Sequence, residues 1–345
     1  MVKKKEDKEE VVNEISAIYE EIEKMGGRVS KKLDDLKPPY FLGTGLFSLD
    51  RIFSDEGGIP GNICVEIFGP NSTGKTSLAL QIAAQAQKRG MQIFYINAER
   101  AINASIVKCF SELNPSKVGW VEPDNGEKAI DIMTHILQTQ KECLIINDSI
   151  PACLPSQIDE ALAGEVQVGA LARLFSPFMP KAKKFCSLNH NILIQLNQER
   201  AKIGPMTRGG TDQPGGNAIK FYSDIRIKIE KRYPNPEIKI GEDIMGHYII
   251  AKAIKSRCGI PYRTAELPII YGRGFDFGRE LADYATSFNV VIKKGAWYNL
   301  FKEGTNPDKD QPIFKAQGMD QMASYIRENP EVRIDIERRL REILS

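Results

Sequence analysis

The chain has 345 residues, 42% hydrophobic and 27% charged, with a formal net charge of +2. That length admits one large α/β domain with appendages or two ordinary domains, and the composition excludes a disordered or fibrous chain. The near-neutral charge leaves a nucleic-acid partner open, provided the basic residues gather locally. Six cysteines (Cys64, Cys109, Cys143, Cys153, Cys186, Cys258) stand no closer than ten residues apart, which argues against a zinc framework and for a reducing cytosol. The opening "MVKKKEDKEE" lacks the apolar stretch of a secretory signal, and no run approaches 18 apolar residues. The expectation is a cytoplasmic protein with no membrane partner.

Val11, Val12, Ile15, Ile18, Tyr19, Ile22 and Met25 recur at helical spacing, and Gly26-Gly27 ends that pattern. A polar link, "RVSKKLDDLKPPY", follows. An amphipathic helix on a linker can dock on its own core or on another subunit, and the residues leave both open. Beyond it, strand and helix patterns alternate, as in a mostly parallel sheet covered on both faces. Strands are expected at 63–69, 92–99, 143–148 and 192–198, with an Ala-rich helix at 77–90. In "DIRIKIEKR" (224–232), Ile225, Ile227 and Ile229 alternate with charged residues, as in a half-exposed strand. From about residue 276 come a helix "GRELADYATSFN", a hairpin "VVIKKGAWYNL" turning at Gly295, and a charged helix "PEVRIDIERRLREILS". The expected division is 1–38 for the N-terminal helix and linker, 39–275 for the α/β core, and 276–345 for a small α/β C-terminal domain.

"GPNSTGKT" carries the first chemistry. Gly69, Pro70, Asn71, Ser72, Thr73, Gly74, Lys75, Thr76 and Ser77 run from an expected strand into an expected helix, the context a phosphate loop requires. Glycines let backbone N–H groups point inward, and the helix N-terminus adds positive potential. Lys75 brings a mobile charge to the β/γ-phosphates of a nucleotide, and the Thr76 hydroxyl ligates Mg²⁺. Asp148, ending "CLIIND", fits the strand-end acid of the Mg²⁺ shell. Glu99, ending the strand after the loop's helix, lies at the carboxyl edge of the sheet, where a carboxylate can deprotonate an attacking water. Its alternative is a surface salt bridge with Arg100. Between Gln198 and Asn217 lie 18 residues, "ERAKIGPMTRGGTDQPGG", with five glycines and the cations Arg200, Lys202 and Arg208. Cations on so adaptable a backbone suit phosphates, and with no aromatic there, sequence-blind capture of a strand is favoured.

These stretches together resemble the RecA recombinase family. "GTGLFSLDRIFSDEGGIPGNICVEIFGPNSTGKT" is similar to the start of that family's core, "INAERAIN" to its glutamate segment, and "LIINDSIPA" to its Mg²⁺-aspartate strand. "LNQERAKIG", "PGGNAIKFY", "IKSRCGIPYRTAELPIIYGRGFD" and "KKGAWYNL" extend the likeness over roughly residues 10–345. It implies a RecA-type P-loop ATPase core binding ATP and Mg²⁺. It further implies a helical homo-oligomer on single-stranded DNA that pairs homologous duplex, with single-strand-binding and mediator proteins as further partners.

Residue by residue, the resemblance implies that Lys75, Thr76, Asp148 and Glu99 keep the roles above. Gln198 senses the γ-phosphate, while Lys255 and Arg257 reach the neighbouring subunit's nucleotide. Gly169, Arg173, Gly215, Gly216, Asn217 and Lys220 would face the DNA backbone, and Val168 and Ile203 would wedge between base triplets. The chain departs from the pattern in several places. Ile106 stands for a base-stacking tyrosine and Asn103 for a base-contacting aspartate, with Tyr271 available to the adenine from elsewhere. Asn71 replaces a loop glutamate, Pro180 a DNA-contacting arginine, and Arg257 a lysine. The family's acidic C-terminal tail is missing, which implies less restrained duplex binding. Three rivals stand beside this reading: a ring-forming helicase motor, for which the first 40 residues are short; a small-molecule kinase, which lacks a lid-like Arg cluster; and a non-hydrolysing regulatory paralogue, favoured by Asn71 and Ile106.

Overall fold

The computed structural model describes residues 18–27, 29, 37–156, 169–201 and 211–344. Two compact units divide the chain, Met1–Pro39 and Tyr40–Ser345. In the first, residues 18–24 are helical and Gly26 takes a left-handed φ of 83°, ending the helix where the glycine pair predicts. The rest of the expected helix, residues 11–17, lies outside the described residues.

The second unit is built on one large sheet. Short strands β1 (Phe41–Leu42) and β2 (Ile59–Pro60) pair antiparallel ahead of it. Then come β3 (Cys64–Gly69), β4 (Ile93–Asn97), β5 (Val118–Val121), β6 (Leu144–Asp148) and β7 (Ile192–Gln198). β8 (Arg200–Ala201) and β9 (Thr211–Asp212) form a small antiparallel stem. β10 (Ile225–Lys231), β11 (Glu237–Ile240), β12 (Asp243–Ser256), β13 (Thr264–Ile270) and β14 (Gly274–Phe275) complete the sheet. Its order is β14-β13-β12-β10-β3-β7-β6-β4-β5, with β11 on β12. The six strands from β10 to β5 run parallel, and β12, β13 and β14 add antiparallel.

Period-two alternation along fully buried strands divides the interior into two layers. Val65, Ile67, Leu144, Ile146, Ile192, Ile194 and Leu196 face the helix Lys75–Lys88, while Cys64, Ile145 and Leu193 face the helices Gly126–Thr139 and Ala170–Asn189. The expected helix 77–90 thus starts two residues earlier, and the expected strand 92–99 closes at Asn97, leaving Glu99 on the turn beyond it. β10 alternates as expected, with Ile225, Ile227 and Ile229 buried and the charged residues between them part-exposed, and its edges are paired with β3 and β12. Its polar residues are partnered: Arg226 with Glu66, Lys228 with Glu199 and Glu230.

Residues 277–344 enclose a third core around Leu281, Val291, Leu300, Met322, Ile336 and Leu340, which Phe47 joins from the helix Phe47–Phe53. The expected helix and hairpin are there, with Gly295 at φ 64° in the turn between β15 (Val291–Lys294) and β16 (Trp297–Leu300). β17 (Phe314–Gln317) and the helix Met319–Glu328 are additions that the sequence pattern did not suggest. Among the described residues, no helix is long and apolar enough to cross a membrane.

Candidate functional site

β3 delivers Gly69 against β10, where a Cβ would run into the Ile229 carbonyl oxygen. The chain then turns back: Ser72 takes φ 57° and Gly74 φ 84°, and the Thr73 hydroxyl donates to the Pro70 carbonyl at 2.9 Å. Gly74 caps the helix Lys75–Lys88 in the left-handed region, and a Cβ there would sit 2.6 Å from Ile269 Cδ1 on β13. The first-turn N–H groups of a helix have no partner within it, so those of Lys75, Thr76 and Ser77 line a positively polarised end. Lys75 folds over the loop, its Nζ donating to Gly69 O at 3.1 Å and Pro70 O at 2.7 Å. Burial lowers the Lys75 pKa, while Asp148 and Glu99 act to raise it. Carbonyls borrow an ammonium here that a phosphate would hold more strongly.

Asp148 ends β6 beside this loop. The Thr76 hydroxyl donates to its Oδ2 at 2.8 Å and the Tyr95 hydroxyl at 2.6 Å. Burial raises the Asp148 pKa, and the two hydroxyls act against that rise. A hydroxyl and a carboxylate in direct contact are a hard-oxygen pair of the kind Mg²⁺ takes when phosphates complete its shell, so the donor set fits that ion. Among the described residues, no cluster of three His, Cys, Asp or Glu side chains suits a metal without such help. Tyr95 escaped the sequence reading because, mid-strand, it reads as one more core aromatic.

Glu99 follows β4 by two residues. Its N–H donates to the Asp148 carbonyl at 3.0 Å, and its Oε2 accepts from the Ser149 hydroxyl at 3.1 Å. The alternative pair with Arg100 is absent among the described residues. Gln198, the last residue of β7, is the register partner of Gly69, so its backbone abuts the root of the loop. Pro70, Asn71 and Ser72 form the exposed crest.

The residues expected at the base are less alike in setting. Asn103 caps the helix Ala104–Lys108, its Oδ1 accepting from the N–H groups of Ser105 at 3.0 Å and Ile106 at 3.1 Å. Ile106 packs partly buried against the main core. Tyr271 follows β13 two residues beyond Ile269, and its hydroxyl lies 3.2 Å from His247 Nδ1.

Lys255 and Arg257 occupy another corner. Lys255 pairs with Arg226 on β10, which pairs with Glu66 on β3, three residues short of Gly69. That register puts Lys255 about 10 Å along the strands and about 10 Å across them from its own phosphate loop. Lys255 Nζ donates to Lys220 O at 2.9 Å and Phe221 O at 2.7 Å, and an Arg257 Nη reaches Phe221 O at 3.3 Å. Both cations thereby neutralise the carbonyl end of the helix Asn217–Tyr222. Burial lowers the Lys255 pKa, and the Arg257 charge adds to that shift. The Phe221 ring lies 6.0 Å from each cation and is 63% exposed. Sequence reasoning missed Phe221, since only the fold leaves this aromatic uncovered.

The 18-residue segment after Gln198 opens on the β8–β9 stem, with Arg200 opposite Asp212. Lys202, Ile203 and Arg208 lie outside the described residues, as does Val168. Gly169, at φ 80°, caps the helix Ala170–Asn189, and Arg173 stands exposed in its first turn. Gly215 (φ 94°) and Gly216 (φ 79°) lead into Asn217, and a Cβ on Gly216 would meet Ala172 Cβ at 2.6 Å. The ends of both expected DNA loops therefore touch. Lys220 pairs with Asp212 at 2.9 Å across the stem, and Pro180 sits midway along the helix Ala170–Asn189.

A phosphate loop at the carboxyl edge of a parallel sheet, with a strand-end aspartate bonded to the loop's threonine, defines a P-loop nucleotide-binding protein. Residues 13–276 match the family model described as the RecA N-terminal domain, and residues 279–345 the RecA C-terminal domain. A Protein RecA of Thermotoga maritima is 34% identical over 307 residues, covering 89% of this chain and 83% of that one. Another from a Sulfurovum species is 34% identical over 312 residues, covering 90% and 86%, and one from Staphylococcus epidermidis is 33% identical over 289 residues, covering 84% and 79%. A crystal structure of the RadB recombinase aligns with a TM-score of 0.49 and 19% identity, over 68% of this chain and 98% of that one. The chain belongs to the RecA family, and its function is that of a recombinase.

Proposed function

We propose that the protein is a DNA-stimulated ATPase that assembles as a helical filament on single-stranded DNA and exchanges strands with homologous duplex. The observation that carries this reading is the distance of Lys255 and Arg257 from the chain's own phosphate loop. Cations so placed are out of reach of their own nucleotide and suit that of another subunit, which would make the nucleotide part of a subunit contact. Phe221, exposed between them, supplies the apolar component of the same face.

Within one subunit, Lys75 leaves the Gly69 and Pro70 carbonyls for the β/γ-phosphates, and the first-turn amides hold the remaining charge. Thr76 and Asp148 would hold Mg²⁺, which would supply neutralisation of the phosphate charge. Glu99, oriented by Ser149, accepts the proton of the attacking water. Lys255 and Arg257 of the next subunit stabilise the charge that develops as the γ-phosphate leaves. Gln198 bonds to that phosphate and relaxes once it is lost, and the segment 199–216 carries the change to DNA. Asn103, Ile106 and Tyr271 would bound the adenine, with Tyr271 as the aromatic face. In the DNA site, Arg173, Arg200, Lys202, Arg208 and Lys220 take backbone phosphates, together with Gly169, Gly215, Gly216 and Asn217. Val168 and Ile203 separate the triplets.

Electron microscopy of the purified chain with Mg²⁺-ATP and a single-stranded oligonucleotide tests the reading. Open helical filaments are expected. Lone particles would remove the shared nucleotide, and closed rings would favour a helicase-type motor.

A further inference from the structure

Glu66, wholly buried in the middle of β3, is the centre of a polar set that the hydrolytic roles above leave unused. Arg226 Nε donates to Glu66 Oε2 at 2.5 Å, and its guanidinium stacks 4.9 Å over Phe68. Asn197 Nδ2 donates to Glu66 Oε1 at 2.8 Å and to the Pro214 carbonyl at 3.0 Å. Asn197 Oδ1 accepts from the backbone N–H of Gln198 at 2.9 Å, and an Arg226 Nη donates to Gln213 Oε1 at 3.2 Å.

Packing alone does not call for such a set. A buried ion pair gains little over apolar side chains of the same volume, whereas a half-satisfied one is costly. The pair nonetheless stands at the middle of the sheet, and among the described residues the outward hydrogen bonds of Arg226 and Asn197 go to one of two places. One is the amide of Gln198, at the root of the phosphate loop. The other is Gln213 and Pro214, the arm by which the segment 199–216 returns to the sheet. Asn197 holds both ends with one side chain, through its oxygen and its nitrogen.

We propose that Asn197, Glu66 and Arg226 are positioning residues that couple the nucleotide state at Gln198 to the return arm of the DNA segment through Gln213 and Pro214. This rests on the roles proposed above for Gln198 and for that segment. When Gln198 shifts on gain or loss of the γ-phosphate, its amide drags Asn197, and Asn197 cannot move without releasing or re-aiming the Pro214 carbonyl. Glu66 and Arg226 give the movement a fixed pivot, since both are held by the sheet.

A donor–acceptor swap separates coupling from stability. In the double variant Glu66→Gln/Asn197→Asp, position 66 donates and position 197 accepts, so their mutual hydrogen bond and the net charge survive. The carboxylate introduced at position 197 still accepts from the Gln198 amide, but the Pro214 carbonyl loses its donor. The expected result is a folded protein whose thermal midpoint is lowered by the unpartnered Pro214 carbonyl, with unchanged affinity for a fluorescent ATP analogue and retained DNA-independent hydrolysis. The ratio of DNA-stimulated to DNA-independent turnover should fall about tenfold. Single-strand affinity should also become indifferent to the analogue. A second variant, Arg226→Lys, keeps the charge against Glu66 but loses the fork to Gln213. It should lower the same ratio about threefold, and it decides the matter if the double variant fails to fold. A full DNA-stimulation ratio in either folded variant overturns the coupling while leaving the recombinase reading intact. No DNA stimulation in the unaltered protein overturns both.

Discussion

At Gly74 the backbone adopts φ 84°, and a methyl group would stand 2.6 Å from Ile269 Cδ1. Gly74→Ala should therefore cost about 1–3 kcal/mol of stability and weaken nucleotide binding, as read by thermal melting and titration with a fluorescent analogue. Unchanged affinity would mean that the loop tolerates a different turn. Glu99 gives a complementary test, since its neighbours hold its backbone and one oxygen while the role proposed for it rests on its charge. Glu99→Gln should keep nucleotide and DNA binding and lower turnover by about 100-fold or more. Steady-state hydrolysis at saturating ATP checks this, and unchanged turnover would move the base elsewhere. At this scale Lys75, Thr76 and Asp148 were legible because the spacing of loop, helix and strand end already constrains them. Tyr95 and Phe221 were not, because a tyrosine in a strand and a phenylalanine in a helix carry no mark of what the fold will set beside them.

The joint between the α/β core and the C-terminal residues offers a test on elements. Glu280, on the helix Phe277–Ser287, is fully buried and accepts from the N–H groups of Ser48 at 2.6 Å and Phe47 at 3.2 Å, at the start of the helix Phe47–Phe53. Burial outweighs those donors and pushes its pKa up to about 7 from an ordinary 4.5. An acid whose folded pKa is raised is bound to its proton more firmly in the folded state. Its stability contribution is complete below pH 4.5 and is lost as pH rises through 7. Each pKa unit is worth about 1.4 kcal/mol, so the loss is on the order of 3 kcal/mol. Glu280→Gln cannot ionise. Its melting temperature relative to the unaltered protein should be several degrees higher at pH 8 than at pH 5, measured by calorimetry at both. An equal difference at the two pH values would show that folding does not raise the Glu280 pKa. The same scale holds the least legible element, the helix Ala170–Asn189. Pro177 and Pro180 lie inside it and each removes a backbone donor, yet Phe175, Phe178, Met179, Ala182 and Cys186 anchor its apolar face on the sheet and outweigh the lost backbone bonds.

For the whole molecule the question is what one subunit does for the next. Within their own chain Lys255 and Arg257 cap the helix Asn217–Tyr222, a contribution of about 0.3–1 kcal/mol each at a partly exposed helix end, and Arg257 also stands 3.5 Å from Asp224, which keeps Lys183 at 2.6 Å. Lys255→Ala with Arg257→Ala should then leave the monomer folded and able to bind nucleotide. DNA-stimulated hydrolysis should disappear, followed by phosphate release with and without oligonucleotide. Hydrolysis that survives in the double variant would place the trans contact on other residues.

By itself the sequence determined the phosphate-loop motif and the order of the parallel strands' motifs. Both follow from local rules: a glycine-spaced loop between a strand and a helix, and apolar runs long enough to be buried on both faces. Tertiary structure alone decided that β10 is interior, that Glu66 meets Asn197 and Arg226, and that Lys255 stands two strands away from Gly69. The reason is physical. Local pattern specifies which face of a strand is apolar. Which strands become neighbours, and hence which buried polar groups find each other, is set by the lowest free energy of the whole packed sheet.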